Sequence, residues 1–287
     1  MFSVNWRQRF GRFVGTALVG WSCLASAQES LQLQRQDHKR VQATAYTPVA
    51  GSCAGVAVIS PGAGGSEKGY RYLGDALSAM GYLAVVVAHQ ESGRSALREQ
   101  VRREGLRDGL AELITDPDAY RGRLQDIAAA RQWADTRCNS AIKLLIGHSM
   151  GAATVMIEAG ARNKVDAQGS NSFTAYIALS PQGVGSIFPQ GAWSDIRKPV
   201  LMLTGTRDTE LGGASWETRT EPYKDMPPGC KWLGVIDGAS HLNFAGNGLS
   251  GKTELLTGRT IGAFLQGIRT GDCKMPTPFV GMDLISK

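Results

Sequence analysis

Residues 141–160 read AIKLLIGHSMGAATVMIEAG, and this stretch decides the fold. Ile142 to Ile146 is a short apolar run of the kind that forms a fully buried strand. Gly147-His148-Ser149-Met150-Gly151 follows at once, and an Ala-rich segment with helical character comes next. A G-x-S-x-G pattern between a strand and a helix is a sharp, strained turn that lifts the serine Oγ above the end of a sheet. Gly147 and Gly151 must be small, because strand and helix nearly touch there. The Met150 N–H falls at a helix N-terminus, where unpaired donors and the macrodipole favour an anion. It is a candidate for half of an oxyanion hole. A Gly-flanked serine in an ordinary loop spells the same five letters, so the rest of the chain has to supply a base and an acid.

Outward from that stretch, buried apolar runs recur at Gly55–Ser60, Leu83–Ala88, Ala175–Leu179, Val200–Thr204 and Lys231–Ile236, the last strand expected. Helical segments separate them, around Tyr70–Met80, Arg94–Leu113, Tyr120–Thr136 and Glu254–Ile268. Continuous apolar strands alternating with helices argue an α/β domain with a mainly parallel sheet covered on both faces. Residues 28–40 are polar and read as a loosely held lead-in, with Val41–Tyr46 as an edge strand ended by Pro48. The charges of Arg94–Leu113 read as a solvated, salt-bridged helix surface. No internal repeat and no domain-boundary linker stands out.

The first residues look like a targeting signal. Arg7, Arg9 and Arg12 precede an apolar stretch, Phe13 to Leu24, and Ala25-Ser26-Ala27 is an A-x-A cleavage site. That is a secretory signal peptide over residues 1–27, leaving residues 28–287 as one domain. The apolar run is too short for a spanning helix, and Trp21-Ser22 before Cys23 is a poor lipidation signal. The leader carries three Arg and no acid, so its removal takes three from the formal charge of +6. The remaining charge argues for no nucleic-acid partner, and no polybasic, aromatic-interleaved patch suggests one.

Export also changes the reading of the cysteines. Cys53, Cys138, Cys230 and Cys273 remain, an even number in an oxidising compartment, which suggests two disulfides in one of three connectivities. There is no C-x-x-C and no Cys/His cluster at zinc spacing, so no metal is expected.

Of the four histidines, His241 is the candidate base, because it follows the last expected strand in Asp237-Gly-Ala-Ser-His241. His38 lies in the lead-in, His148 reads as a packing residue beside the nucleophile, and His89 ends a strand at the wrong place in the chain order. The candidate acid is Asp208, at the end of Val200-Leu-Met-Leu-Thr-Gly-Thr-Arg-Asp208. Asp195 precedes its strand, and Asp237 is too close to His241 in sequence to turn back on it. Gly246-Asn-Gly-Leu-Ser-Gly-Lys-Thr253 spells the phosphate-loop pattern but does not directly join a strand to a helix, so no nucleotide partner is expected.

The order Ser149, Asp208, His241 is that of the α/β-hydrolase fold. Through Ser60-Pro-Gly-Ala-Gly-Gly65, Gly147-His-Ser-Met-Gly151, Thr204-Gly-Thr-Arg-Asp208 and Gly238-Ala-Ser-His241, the chain resembles exported α/β hydrolases of the dienelactone-hydrolase-like group. It is also similar to the platelet-activating-factor acetylhydrolases and the cutinase-type polyester hydrolases. The resemblance spans about residues 55–268 and implies a serine carboxylester hydrolase without cofactor and without a large cap domain. A lactone or dienelactone hydrolase, or an exported binding protein that has lost turnover, are the alternatives.

The resemblance implies three further things. The second oxyanion donor is the N–H of Ala63, where many cutinase-type enzymes carry an aromatic residue. Neighbouring central strands imply Cys53–Cys138, at the end of the sheet opposite the site, and a last helix packing back beside the last strand implies Cys230–Cys273. The short segment from Ser180 to Lys198 implies an open cleft for small or short-acyl esters, with Trp193 and Trp216 as candidate aromatic platforms.

Overall fold

The computed structural model describes residues 28–49, 51, 53–210 and 212–287; the expected signal peptide lies outside them. The described residues form one nine-stranded sheet in the order β1-β2-β4-β3-β5-β6-β7-β8-β9. Its strands are β1 Gln28–Gln34, β2 Arg40–Tyr46, β3 Gly55–Ser60, β4 Tyr82–Val87, β5 Lys143–His148, β6 Ala175–Leu179, β7 Val200–Arg207, β8 Lys231–Ser240 and β9 Met282–Ser286. From β4 through β8 the neighbours run parallel, while β1, β2 and β9 are antiparallel additions at the two edges.

Helices cover both faces. Helices α1 (Arg71–Ala79) and α6 (Gly251–Thr270) pack with Tyr46, Ile59, Val86 and Trp232 on one side. Helices α3 (Pro117–Asp135) and α4 (Met150–Glu158) pack with Val58, Val85, Leu145 and Met202 on the other. Strands β3, β4 and β6 are buried at every residue. That is why they read as unbroken apolar runs: a strand covered on both faces has no polar side.

Three expectations need correction. Residues 28–34 are not a loose lead-in but strand β1, which makes β1, not β2, the edge. Its Leu31 and Leu33 point inward between outward Gln residues, a period-2 pattern carried by two apolar positions. Strand β8 is not the last, because β9 pairs beyond it and buries Met282 and Leu284. Helix α2 (Arg94–Thr115) is not one rod: Gly105, at φ 82°, breaks it. A Cβ on Gly109 would sit 2.5 Å from the Gln100 carbonyl, a contact impossible along a straight helix. The two arms therefore fold back on each other, giving a helical hairpin between β4 and α3. The remaining helix, α5 (Glu221–Asp225), is short.

Two disulfides, Cys53–Cys138 and Cys230–Cys273, join Cα atoms 5.6 and 5.5 Å apart. The first ties the approaches to β3 and β5, which are paired neighbours. The second ties the residue before β8 to the chain after α6. Among the described residues no helix is long and apolar enough to cross a membrane, and no cluster of three His, Cys, Asp or Glu is placed to hold a metal ion.

Candidate active site

Ser149 sits between β5 and α4 at φ 55°, ψ −122°, a left-handed strain that an L-residue adopts only where its surroundings enforce it. The enforcement is visible. A Cβ on Gly147 would lie 2.1 Å from the Gly151 carbonyl, and one on Gly151 would lie 2.0 Å from the Ser60 carbonyl. The Ser149 N–H donates to Leu179 O of the next strand at 3.0 Å. Ser149 Oγ has no hydrogen-bond partner among the described residues, a looseness common where such contacts tighten on substrate binding.

Asp208 and His241 leave neighbouring strands together. In the β7–β8 ladder Arg207 stands opposite Ser240, after an irregularity at Gly205 where a Cβ would meet Ala239 O at 2.3 Å. The next residues on each strand are Asp208 and His241, and His241 Nδ1 lies 2.9 Å from Asp208 Oδ1. His241 opens a 3-10 turn, His241–Ala245, fixed by a capping box between Ser240 and Asn243. Its ring is tilted against that of His148, the residue before Ser149, with centroids 4.8 Å apart.

The Asp208 carboxylate is fully buried and fully coordinated. Oδ2 accepts from Ser180 Oγ at 2.5 Å and Thr204 Oγ1 at 2.9 Å. Arg219, buried on the 3-10 turn Trp216–Thr220, places Nε 2.9 Å from Oδ1. It also donates to the carbonyls of Asp208, Ser180, Pro181 and Thr209. Burial pushes the carboxyl up, but the His241 hydrogen bond, the Arg219 charge and Ser180 outweigh it and leave Asp208 below the ordinary carboxylate range.

The Pro61-Gly62-Ala63-Gly64 loop lies against Ser149, since a Cβ on Gly62 would sit 3.2 Å from Ser149 Cβ. Gly62 N–H donates to Tyr70 Oη at 3.0 Å and Gly64 N–H to Ser92 O at 2.8 Å. Between these two tied amides, Ala63 N–H has no acceptor among the described residues. Met150 is the first residue of α4.

Beneath the loop lies a second, wholly buried Ser–His–Asp chain. Ser60 Oγ meets His89 Nε2 at 2.9 Å, and His89 Nδ1 meets Asp126 Oδ2 at 2.9 Å. Arg123, with no exposed surface, donates to Ser92 Oγ (2.6 Å), Thr154 Oγ1 (3.0 Å), Ser60 Oγ (3.3 Å) and the Pro61 carbonyl. Burial pushes Arg123 down to about 10, Asp126 up to about 8, and His89 well below the ordinary histidine range, the last aided by Arg123 and Arg35. His89 is held between Ser60 and Asp126, away from Asp208 and His241.

His148 packs beside Ser149, and both its ring nitrogens are engaged, with Tyr70 Oη and with the His241 carbonyl. Trp193 is no platform: it is buried against Phe188, ring centroids 5.1 Å apart. Trp216 is half-buried at the head of the turn that carries Arg219. Sequence reasoning missed Tyr70, Arg123 and Arg219. Arg219 in particular stands in a Gly- and Pro-containing loop where no pattern marks it.

No protein-family model matches the chain. Cutinase est2 of Thermobifida alba is 26% identical over 224 residues, 77% of this chain and 60% of the relative. The chain thus spans about 60% of the length of that curated relative. Among solved structures, an esterase of Pyrococcus furiosus superposes with a TM-score of 0.58 at 17% identity, covering 89% of this chain and 97% of the other. The architecture is that of the α/β hydrolases.

Proposed function

We propose that this α/β-hydrolase-fold chain is an exported serine carboxylester hydrolase acting on small or short-acyl esters. What carries the reading is the 2.9 Å contact of His241 Nδ1 with Asp208 Oδ1, together with the His241 ring against His148, the neighbour of a serine held in a strained elbow. Cutinase est2 of Thermobifida alba and the Pyrococcus furiosus esterase support the reaction class.

In this mechanism Ser149 Oγ attacks the acyl carbon as His241 Nε2 takes its proton. Asp208 keeps the proton of Nδ1 facing itself, so that Nε2 presents a lone pair, and its charge stabilises the imidazolium. The Ala63 and Met150 N–H groups receive the negative oxygen of the tetrahedral intermediate. His241 then returns the proton to the leaving alcohol, and water, activated by the same histidine, resolves the acyl-enzyme. No cofactor or metal enters.

The small side chain at Ala63 leaves room beside the oxyanion, and no helix lies between β6 and β7 to shelter a long acyl chain. Export rests on the leader signature of residues 1–27 and on the two disulfides. The test is the triad itself. Ser149→Ala and His241→Ala should abolish ester hydrolysis with the fold intact, and Asp208→Asn should lose about 10⁴-fold in kcat, less than Ser149→Ala. Near-wild-type turnover by Ser149→Ala would overturn the reading.

A further inference from the structure

We infer that Tyr70 and His148 form a positioning relay that holds the oxyanion loop and the base-bearing turn in one register. The inference rests on the esterase reading above, because it assigns a task to two residues at that same site.

Three hydrogen bonds join three distant parts of the chain. Gly62 N–H donates to Tyr70 Oη at 3.0 Å, Tyr70 Oη meets His148 Nδ1 at 2.8 Å, and His148 Nε2 meets the His241 carbonyl at 3.0 Å. Their protons have one self-consistent arrangement. A carbonyl only accepts, so His148 Nε2 carries the hydrogen and Nδ1 offers a lone pair. Tyr70 O–H then donates to Nδ1, and its oxygen accepts from Gly62. The direction is fixed from the loop to the turn.

Neither group titrates near neutrality. Burial, aided by the charge of His241, pushes His148 down to about 3. Burial pushes Tyr70 up to about 12. Tyr70 also sits at φ 58° as the residue before α1, a conformation unfavourable to any side chain with a Cβ. Glycine would relieve that strain but has no hydroxyl to place between Gly62 and His148.

The relay acts on two positions that catalysis depends on. Gly62 precedes Ala63, whose N–H is free, and Arg123 grips the preceding Pro61 carbonyl from below. The amide of Ala63 is thus aimed by a loop held on both sides. At the other end, anchoring the His241 carbonyl sets where the imidazole ring leaves the backbone. A packing role alone would need the rings of Tyr70 and His148 but not their polar atoms.

Tyr70→Phe keeps the ring and deletes the relay proton. The experiment measures kcat and KM on p-nitrophenyl acetate for wild type, Tyr70→Phe, His148→Phe and the double variant, with rates normalised to the serines titrated by a fluorophosphonate. Each single variant should lose about 10-fold or more in kcat with KM within about twofold, since a displaced oxyanion donor acts in the transition state. The double variant should fall no further than the worse single, as expected for partners in one network. Unchanged kcat in titrated sites, or losses that multiply, would overturn the relay. Wild type that neither hydrolyses the ester nor takes the label would instead sink the esterase reading. Histidine ¹⁵N NMR tests the relay independently of turnover: His148 should read as the neutral Nε2–H tautomer from about pH 5 to 8, and an Nδ1–H tautomer would refute it.

Discussion

Arg219 Nε and His241 Nδ1 each lie 2.9 Å from the same oxygen, Asp208 Oδ1. With Ser180 and Thr204 on the other oxygen, the carboxylate has no freedom to rotate. The orientation of His241 is therefore set by a cluster drawn from β7, the loop after β6 and the 3-10 turn before α5.

Arg219→Met removes a buried partner and leaves Asp208 under-compensated, and five donor contacts disappear with it. The variant should lose about 3–5 kcal/mol of stability, the usual cost of breaking one side of a buried pair. Asp208 sits below its ordinary value of 3.8 when folded. Its contribution is complete above that value and is lost as pH falls through the folded value. Arg219→Met should accordingly unfold at higher pH on acidification. Urea titrations at neutral pH and a fluorescence-monitored acid titration check both, and a loss under about 1 kcal/mol would contradict the role.

Ser60–His89–Asp126 copies the hydrogen-bond pattern of a catalytic triad, but Ser60 is buried at the end of β3 with no exposed surface. A fluorophosphonate should therefore label Ser149 and leave Ser60 untouched, as read by peptide mass. Ser60→Ala should keep full labelling while losing about 1–3 kcal/mol, because His89 and Arg123 lose a partner in a dry site. Modification at Ser60 would mean that the interior opens far more than its packing suggests.

Each crosslink closes a long loop, of 85 residues for Cys53–Cys138 and 43 for Cys230–Cys273. In the chain-entropy description each contributes about 4 kcal/mol. Cys53→Ala with Cys138→Ala, and the corresponding pair at 230 and 273, should lower the denaturant midpoint by comparable amounts. Peptide mapping without reduction should recover these two pairs, and a Cys53–Cys273 peptide would refute the connectivity.

On p-nitrophenyl esters, kcat/KM should peak at short acyl chains and decline as they lengthen. A pocket that buried each added methylene would instead raise it by about fourfold per carbon, from ~0.8 kcal/mol each. A maximum at about twelve carbons or beyond, or activation at an oil–water interface, would overturn the short-acyl reading in favour of a lipase.

What could be read from residues alone was whatever the backbone demands locally. Gly147 and Gly151 announce a turn in which a Cβ would strike a carbonyl, and the apolar β3, β4 and β6 announce burial on both sides. Strand β1 escaped because five of its seven residues are polar and two leucines carry the pattern. The fold-back at Gly105 escaped because charges spaced for one helix are equally spaced for two. Arg219 and Arg123 escaped for a different reason. A buried arginine is defined by the carbonyls and hydroxyls that surround it, and those come from segments far away in the chain. His148 was legible as a packing residue, but its hydrogen bonds depend on where Tyr70 and the His241 carbonyl arrive.

The hairpin of α2 touches the Pro61–Gly64 loop near its base, where Leu97 packs on Gly64, and turns in open solvent at Gly105, with Leu106 mostly exposed. Nothing within 4 Å would meet a Cβ at that turn. The tip is thus a natural graft point: residues inserted there meet solvent, while the Pro61–Gly64 loop at the base keeps its shape. The hairpin joins a base packed against the Pro61–Gly64 loop to a tip whose sequence is free to change.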